Sequence, residues 1–320
     1  MIHAFWSFIA TVATFFMMIY GLIGGINFGD TIAKYKENVA SVEAYSNTIE
    51  TAIPQTDIYG LIEQHFASDL PAGKTEKKVL VLGYDGGRAD ALALLDGETN
   101  DSAISYLLAS GGNAQIAYCG GVNYPTINKQ DTSTAPGWCS ILTGEWADVT
   151  GVTGNGVVKS NDHLSLLTTL VEDEKADSSA FYVSWNGHFS ADDSTYVLEK
   201  QYTEEKGLPV VFSDADDDDG TFANTLADVQ QADCSDFIFT IFEYPDHIGH
   251  DTGFCIDNPD YAAAFKECDA QCKRIIDAVE ARETYESEDW LIILTSDHGG
   301  YNTGHGALTI QERMTFVVTR

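Results

Sequence analysis

The sequence predicts an α/β fold with a mainly parallel central sheet and helices on both faces. Three short and almost continuously apolar runs predict buried strands, at residues 78–83, 237–242 and 290–294. Helical patterns separate such runs, for example over residues 261–280. Apolar strands that alternate with helices are typical of parallel sheets covered on both sides. Residues 181–185 and 314–318 are two further candidate strands.

The composition supports a globular protein and excludes some functions. The chain has 320 residues, of which 44% are hydrophobic and 11% aromatic, so it can bury a core. It carries 49 acidic and 17 basic residues, for a formal net charge of -32. Because this charge repels nucleic acid, the sequence argues against a nucleic-acid-binding surface. An anionic substrate would need local positive charge, and bound metal cations are a natural source.

The N-terminal segment predicts an association with membranes. Residues 2–28 contain no Asp, Glu, Lys or Arg and are long enough to cross a bilayer as a helix. We expect residues 1–28 to be a transmembrane anchor. A cleaved signal sequence is the alternative, although the segment lacks the basic start and short apolar core of such sequences. Residues 29–76 are expected to form a stalk or linker with helical patches, and residues 77–320 the main domain.

Two other local patterns carry structural expectations. The six cysteines form no CxxC pair, and Cys268 and Cys272 share an apolar helical stripe that predicts burial. A disulfide elsewhere, for instance at Cys255, stays open. The acidic stretch at residues 214–220 is expected to be a solvated loop, because it lacks the spacing and the closing Glu of a calcium-binding loop.

Each of the three main predicted strands is followed by an aspartate: Asp85, Asp246 and Asp297. The carboxyl ends of parallel strands meet at one edge of the sheet, where ligands bind in open α/β folds. A single aspartate at such a position is more often a helix cap or a turn residue. Three of them together indicate a shared site.

Histidines strengthen this interpretation. Four of the chain's eight histidines lie close to these aspartates, and they include His250, His298 and His305. Carboxylate oxygen combined with imidazole nitrogen suits Zn²⁺ or Mn²⁺ and requires no thiolate. The sequence therefore predicts a metal site.

A hydroxyl group that could serve as a nucleophile is also visible. Thr134 lies in a Thr- and Ser-rich segment that precedes a helical run at residues 138–142. A hydroxyl at the start of a helix lies where backbone N–H groups and the helix dipole stabilise negative charge. The same hydroxyls could equally act only as helix caps, and the local sequence leaves both roles open.

Taken in order along the chain, four segments resemble the alkaline phosphatase superfamily, and within it most closely the type I phosphodiesterase/nucleotide pyrophosphatase family. Asp85 stands in a segment LGYDGGRAD that matches the family's first aspartate. Residues 134–137 match its Thr-Phe-Pro-Asn, followed at similar separations by Thr143-Gly144 and Asn155. Residues 244–253 resemble its Glu-Pro-Asp-x-x-Gly-His-x-x-Gly, and residues 296–299 its Ser-Asp-His-Gly. The resemblance covers residues 77–320.

This resemblance implies an alkaline-phosphatase-like fold in a metal-dependent phosphoric ester hydrolase. Its substrates would be small anionic phosphodiesters or related phosphate esters, nucleotides among them. Thr134 would form a phosphothreonine intermediate, and Asn155 would hold a phosphoryl oxygen. The resemblance also implies two divalent metal ions, with Zn²⁺ as first choice and Mn²⁺ as second. One ion would be held by Asp85, Thr134, Asp297 and His298, and the other by Asp246, His250 and His305. A domain outside the cytoplasm is expected, although two lysines after the apolar segment, Lys34 and Lys36, favour the opposite orientation weakly.

The sequence departs from the family in several places. Ala135 and Gly137 replace the family's Phe and Asn, and the spacing from His298 to His305 is short, as in sulfatases. The chain ends soon after residue 318, so we expect a domain truncated at its C-terminus. A sulfatase remains an alternative, although its Cys- or Ser-x-Pro-x-Arg segment is missing. A membrane phosphotransferase usually has several spans, and an inactive surface-binding homologue would not need intact ligands and nucleophile.

Overall fold

A computed structural model describes residues 52–95, 101–120, 130–307 and 309–320. The predicted anchor at residues 1–28 and residues 29–51 of the predicted stalk lie outside the described residues. Within the described segments, no helix is both long and apolar enough to span a bilayer.

Eight strands form one mixed sheet: β1 (Ile53–Pro54), β2 (Glu76–Tyr84), β3 (Asn113–Tyr118), β4 (Ser179–Val183), β5 (Val210–Asp214), β6 (Phe237–Phe242), β7 (Glu288–Thr295) and β8 (Met314–Thr319). Their order across the sheet is β1-β3-β8-β7-β2-β6-β4-β5. All pairs are parallel except those of β8, which runs antiparallel to both β3 and β7. The predicted α/β class with a mainly parallel sheet is therefore confirmed.

The helices are α1 (Asp57–Ala67), α2 (Ala103–Ala109), α3 (Thr134–Thr143), α4 (Ala147–Thr150), α5 (Leu166–Glu172), α6 (Val197–Lys206), α7 (Asp218–Val229), α8 (Tyr244–Thr252), α9 (Pro259–Glu280) and α10 (Ile310–Arg313), with short 3₁₀ turns at Ala89–Leu95 and Tyr285–Ser287. They cover both faces of the sheet. Leu80 and Leu82 of β2 belong to the core cluster that contains α9, while Val79 and Val81 belong to the cluster that contains α1 and α3. Successive side chains of a strand point to opposite faces, so β2 contributes to both layers.

The centre of the sheet brings the strand ends together. β2 lies between β6 and β7, and Gly83 is in register with Ile241 on one side and Thr295 on the other. The residues that follow these three strands therefore emerge side by side at one edge. This register, and not the local sequence, makes the three aspartates neighbours.

The folded unit begins earlier than the sequence indicated. Within the segment expected to be a stalk, β1 pairs with β3, and α1 buries Ile58, Ile62 and Phe66 against the core. This part of the chain thus contributes to the same layer as α3. An amphipathic helix has the same apolar spacing whether it packs on a domain or leads to one, so the pattern alone could not distinguish the two.

The cysteines are all free thiols in the described structure, including the half-buried Cys255. Cys268 and Cys272 are buried in α9, as the apolar stripe predicted. The acidic stretch differs from the expectation of a solvated loop, because it ends β5 and begins α7, and one of its aspartates, Asp218, turns inward.

Candidate active site

Asp85, Asp297 and His298 form a fully buried group at the ends of β2 and β7. The Nε2 atom of His298 lies 3.3 Å from Asp85 Oδ1 and 3.5 Å from Asp297 Oδ2. The Nδ1 atom of His298 lies 2.7 Å from the carbonyl oxygen of Gly299. Because a carbonyl can only accept, Nδ1 carries the hydrogen, and Nε2 is directed toward the two carboxylates.

Thr134 lies next to this group as the first residue of α3. Ser133 before it is the extended N-cap, and Thr134 is only 4% exposed. Its hydroxyl oxygen is 3.5 Å from both Asp85 Oδ1 and His298 Nε2. The hydroxyl therefore faces the buried acidic group from the positive end of a helix.

Asp246, His250 and His305 form a second group. Asp246 and His250 are one turn apart on α8, and His250 Nε2 lies 3.3 Å from Asp246 Oδ2. His305 comes from the loop after β7, with its Nε2 atom 3.7 Å from Asp246 Oδ1. The rings of His298 and His305 stack with centroids 4.0 Å apart, so the two groups adjoin.

The histidine nitrogen atoms of the second group are arranged as expected for binding a cation. The Nδ1 atoms of His250 and His305 lie 3.0 Å and 2.9 Å from the carbonyl oxygens of Thr303 and Thr132, so both carry hydrogens. The two Nε2 atoms lie 3.1 Å apart. Two imidazole lone pairs repel each other at this distance unless a cation or a proton lies between them.

Buried carboxylate oxygens lead to the same conclusion. Asp246 Oδ1 and Asp297 Oδ2 are buried without a hydrogen-bond donor. Buried polar atoms are nearly always paired, and buried charges are paired or bind metals. One such oxygen lies in each group, so both groups fit a divalent cation.

The electrostatics of the protein residues alone are unbalanced. Burial and the neighbouring Asp85 raise the pKa of Asp297 well above its usual range. Burial acts to lower the pKa of His298, but Asp297 and Asp85 outweigh it and raise that pKa to about 10. Burial and the nearby His298 lower the pKa of His305 to about 4. An excess of buried negative charge is thus met by protons in the first group, where a metal ion could replace them.

Asn155 is exposed and lies in the loop after α4. Its Oδ1 atom accepts a hydrogen bond from the backbone N–H of Ala135 at 2.9 Å. This contact anchors the side chain to the first turn of α3.

The supporting residues were not identified from the sequence. The indole N–H of Trp138 donates to Asp85 Oδ2 at 2.9 Å, and the side-chain amide of Gln55 donates to the carbonyl oxygen of Gly137 at 2.9 Å. Gly86 has a φ of +69°, and a Cβ there would lie 2.9 Å from Asp246. Of these residues, only the glycine after Asp85 has a local signal that could have identified it, because glycine permits a positive φ and a close approach of the backbone.

A buried acid behind the site was also missed. Glu243, 3% exposed, lies directly before α8, with its carboxylate 3.4 Å from Nε2 of the buried His188. Burial, with Asp85 and Asp246 nearby, raises the pKa of Glu243 well above its usual range.

Comparison with known proteins gives matches at two levels. A family model described as type I phosphodiesterase / nucleotide pyrophosphatase matches residues 79–311. No curated protein sequence matches the chain. Among solved structures, a 2-O GAG sulfatase, BT1596, is 12% identical with a TM-score of 0.52, covering 77% of this chain and 64% of that one. This likeness shows the fold.

Two other solved structures are similar at lower TM-scores. Murine ectonucleotide pyrophosphatase / phosphodiesterase 5 is 19% identical, with a TM-score of 0.44, covering 70% of this chain and 57% of that one. An alkaline phosphatase from the Antarctic bacterium TAB5 is 13% identical, with a TM-score of 0.47, covering 77% of this chain and 91% of that one. The present chain thus spans little more than half the length of the murine protein.

Proposed function

Because the chain belongs to the type I phosphodiesterase/nucleotide pyrophosphatase family, we propose that it hydrolyses phosphodiesters or related phosphate esters, with Thr134 as nucleophile. One observation carries the proposal. The hydroxyl oxygen of Thr134 lies 3.5 Å from Asp85 and His298. The ring of His298 in turn stacks on that of His305, at the junction of the two groups of candidate metal-binding side chains. A capping role alone would not require this second set of contacts.

Two divalent cations would be held at this junction, with Zn²⁺ as first choice and Mn²⁺ as second. One would be bound by Asp85, Thr134, Asp297 and His298, and the other by Asp246, His250 and His305. When bound, the cations lower the pKa of a neighbouring hydroxyl and neutralise charge on the oxygens of the reacting phosphate.

The protein's own residues define the reaction. Thr134 Oγ1 loses its proton and forms a bond to phosphorus, while the bond from phosphorus to the leaving alcohol breaks. The alcohol takes up a proton from solvent, and phosphothreonine remains. Water then adds to phosphorus and gives up a proton, the bond to Thr134 breaks, and Thr134 Oγ1 takes up a proton as phosphate or a phosphomonoester leaves. The helix dipole of α3 favours the negative charge that develops at its first residue.

Asn155 would hold a non-bridging oxygen of the phosphoryl group through its amide NH₂. Its Oδ1 atom is already used by the N–H of Ala135, which sets the direction of the amide. Such a preorganised donor stabilises charge that grows in the transition state.

The experiment compares an aryl phosphodiester, a nucleotide diester and an aryl sulfate as substrates in the presence of Zn²⁺. We expect turnover of the phosphodiesters. Thr134→Ala should keep two equivalents of metal and lose at least about 10³-fold in activity, as expected for loss of a nucleophile. Ser133→Ala removes the neighbouring hydroxyl, which lies 3.3 Å from His305 Nδ1, and this variant should still form the phosphorylated intermediate on Thr134.

Three results would count against the proposal. They are near wild-type turnover by Thr134→Ala, a trapped phosphate on Ser133, and full activity after chelation and dialysis. Preferential turnover of the aryl sulfate would favour the sulfatase alternative.

We also propose that the domain lies outside the cytoplasm, tethered by residues 2–28. The uncharged apolar segment and the acidic composition support this proposal. Protease treatment of intact cells should release the domain. Protection from protease until lysis would contradict the orientation.

A further inference from the structure

The ends of three strands meet at one carboxylate, that of Asp218. Asp218 is the first residue of α7, which follows β5. Its Oδ1 atom accepts hydrogen bonds from Ser184 Oγ and from the backbone N–H of Glu243, each at 3.0 Å. Its Oδ2 atom accepts from the backbone N–H of Tyr244 at 2.7 Å. Because Ser184 follows β4 and Glu243 follows β6, this side chain joins the ends of β4, β5 and β6.

Two of these contacts cap the helix that carries metal-binding side chains. The first N–H groups of a helix lack partners within it. Glu243 is the N-cap of α8, but its side chain makes no capping hydrogen bond. Asp218 accepts from the N-cap and from the first helical residue, and so caps α8 from another helix. Its negative charge also lies at the positive end of α8.

The geometry of the second metal group depends on how α8 is held. Asp246 and His250 lie on α8, whereas His305 is held separately through the carbonyl oxygen of Thr132. The three side chains converge only if α8 and the loop that carries His305 keep their relative position. Tyr244, which donates to Asp218, is two residues before Asp246.

We propose that Asp218 is a positioning residue for the metal group of Asp246, His250 and His305, an inference that rests on the proposed two-metal function. Its neighbours Asp216, Asp217 and Asp219 are exposed. Asp218 is partly buried, and both of its oxygens are used. The acidic stretch therefore contains one aspartate with a different role.

The test uses the full chain, stripped of metal and titrated with Zn²⁺ against a chelating dye. Asp218→Ala should weaken one of two Zn²⁺ equivalents by about 10–100-fold, as typical for residues that support metal ligands. Asp218→Asn should lose less, because its carbonyl oxygen can still accept. His305→Ala identifies the equivalent that belongs to this group. Asp219→Asn removes the same charge one residue away and should bind both equivalents as the wild type does.

Activity provides a second measurement. At limiting Zn²⁺, the Asp218 variants should show a lower rate, and saturating Zn²⁺ should restore most of it. A rate lost through general misfolding would not be restored by saturating Zn²⁺.

Each outcome decides a separate question. If the wild-type chain does not bind two equivalents, the proposed function itself fails. If it does, but the Asp218 variants bind both equivalents with wild-type affinity, or lose both equally, the positioning role is overturned and the proposed function stands. If Asp218→Ala does not fold, Asp218→Asn decides by the same criteria.

Discussion

Replacing Gly137 by Ala should separate α3, which carries the proposed nucleophile, from the loop that carries Asp297. A Cβ at position 137 would lie 2.8 Å from both the Cβ and the carbonyl oxygen of Asp297. Ordinary contacts begin near 3.4 Å, so α3 and this loop must move apart by about 0.6 Å. The side-chain amide of Gln55 donates to the carbonyl oxygens of both Gly137 and Asp297, and these contacts resist the movement.

The magnitude follows from this displacement. Overpacking of a tight contact typically costs about 1–3 kcal/mol in the free energy of unfolding. Each kcal/mol lowers Tm by about 2–4 °C in a domain of this size. A misplacement of about 1 Å can cost about 10²-fold in rate, so we expect kcat to fall by roughly 10-fold or more.

Gly60→Ala is the matched control. Gly60 lies inside α1, and a Cβ there would meet no described atom within 4 Å. Alanine is favoured over glycine within a helix, so this variant should gain roughly 0.5–1 kcal/mol in stability. Thermal unfolding and the turnover of an aryl phosphodiester, measured on both variants, test the reasoning. A Gly137→Ala protein that gains stability like the control, with wild-type kcat, would refute it.

Three other predictions concern single contacts. Trp138→Phe removes the N–H donor to Asp85 Oδ2 and should weaken Zn²⁺ binding by about 10–100-fold; an unchanged affinity in a dye titration would contradict this. Asn155→Ala should lower kcat by about 10²–10³-fold while leaving metal content intact, which kinetics and metal analysis can check; loss of metal would assign it a different role. Burial acts to raise the pKa of Glu288, but hydrogen bonds from Arg282 and Trp290 outweigh it and hold that pKa below its usual 4.5. The stabilisation by Glu288 should therefore be complete above pH 4.5 and be lost as pH falls through the lowered pKa. Glu288→Gln should flatten this acid limb of a Tm profile, and an unchanged slope would refute the assignment.

Much of the candidate site could be predicted because its residues stand next to strands in the sequence. Asp85, Asp246 and Asp297 each follow an apolar run, and the run predicts the strand that places them. His250 and His298 are close to these aspartates in sequence, so the same predicted strands place them near the site. A local pattern is sufficient where a single short element positions a residue.

The supporting contacts could not be predicted in this way. Trp138 and Asp85 are 53 residues apart, and Gln55 and Asp297 are 242 apart. Asp218 stands in an acidic stretch that local sequence assigns to solvent. Its carboxylate reaches two backbone N–H groups at the start of α8 because β6, β4 and β5 are neighbours in the sheet. Contacts of this kind arise from the tertiary arrangement, and nothing in the neighbouring residues indicates them.

The sequence by itself determined the α/β class, the main strands and the residues at their carboxyl ends, because apolar periodicity reports directly which face of an element is buried. The tertiary structure decided the antiparallel direction of β8, the inclusion of β1 and α1 in the domain, and the juxtaposition of the two candidate metal-binding groups. Strand order and register depend on contacts between distant segments. The free energy of these contacts is shared by many side chains, so no single segment contains a periodic pattern that reports them.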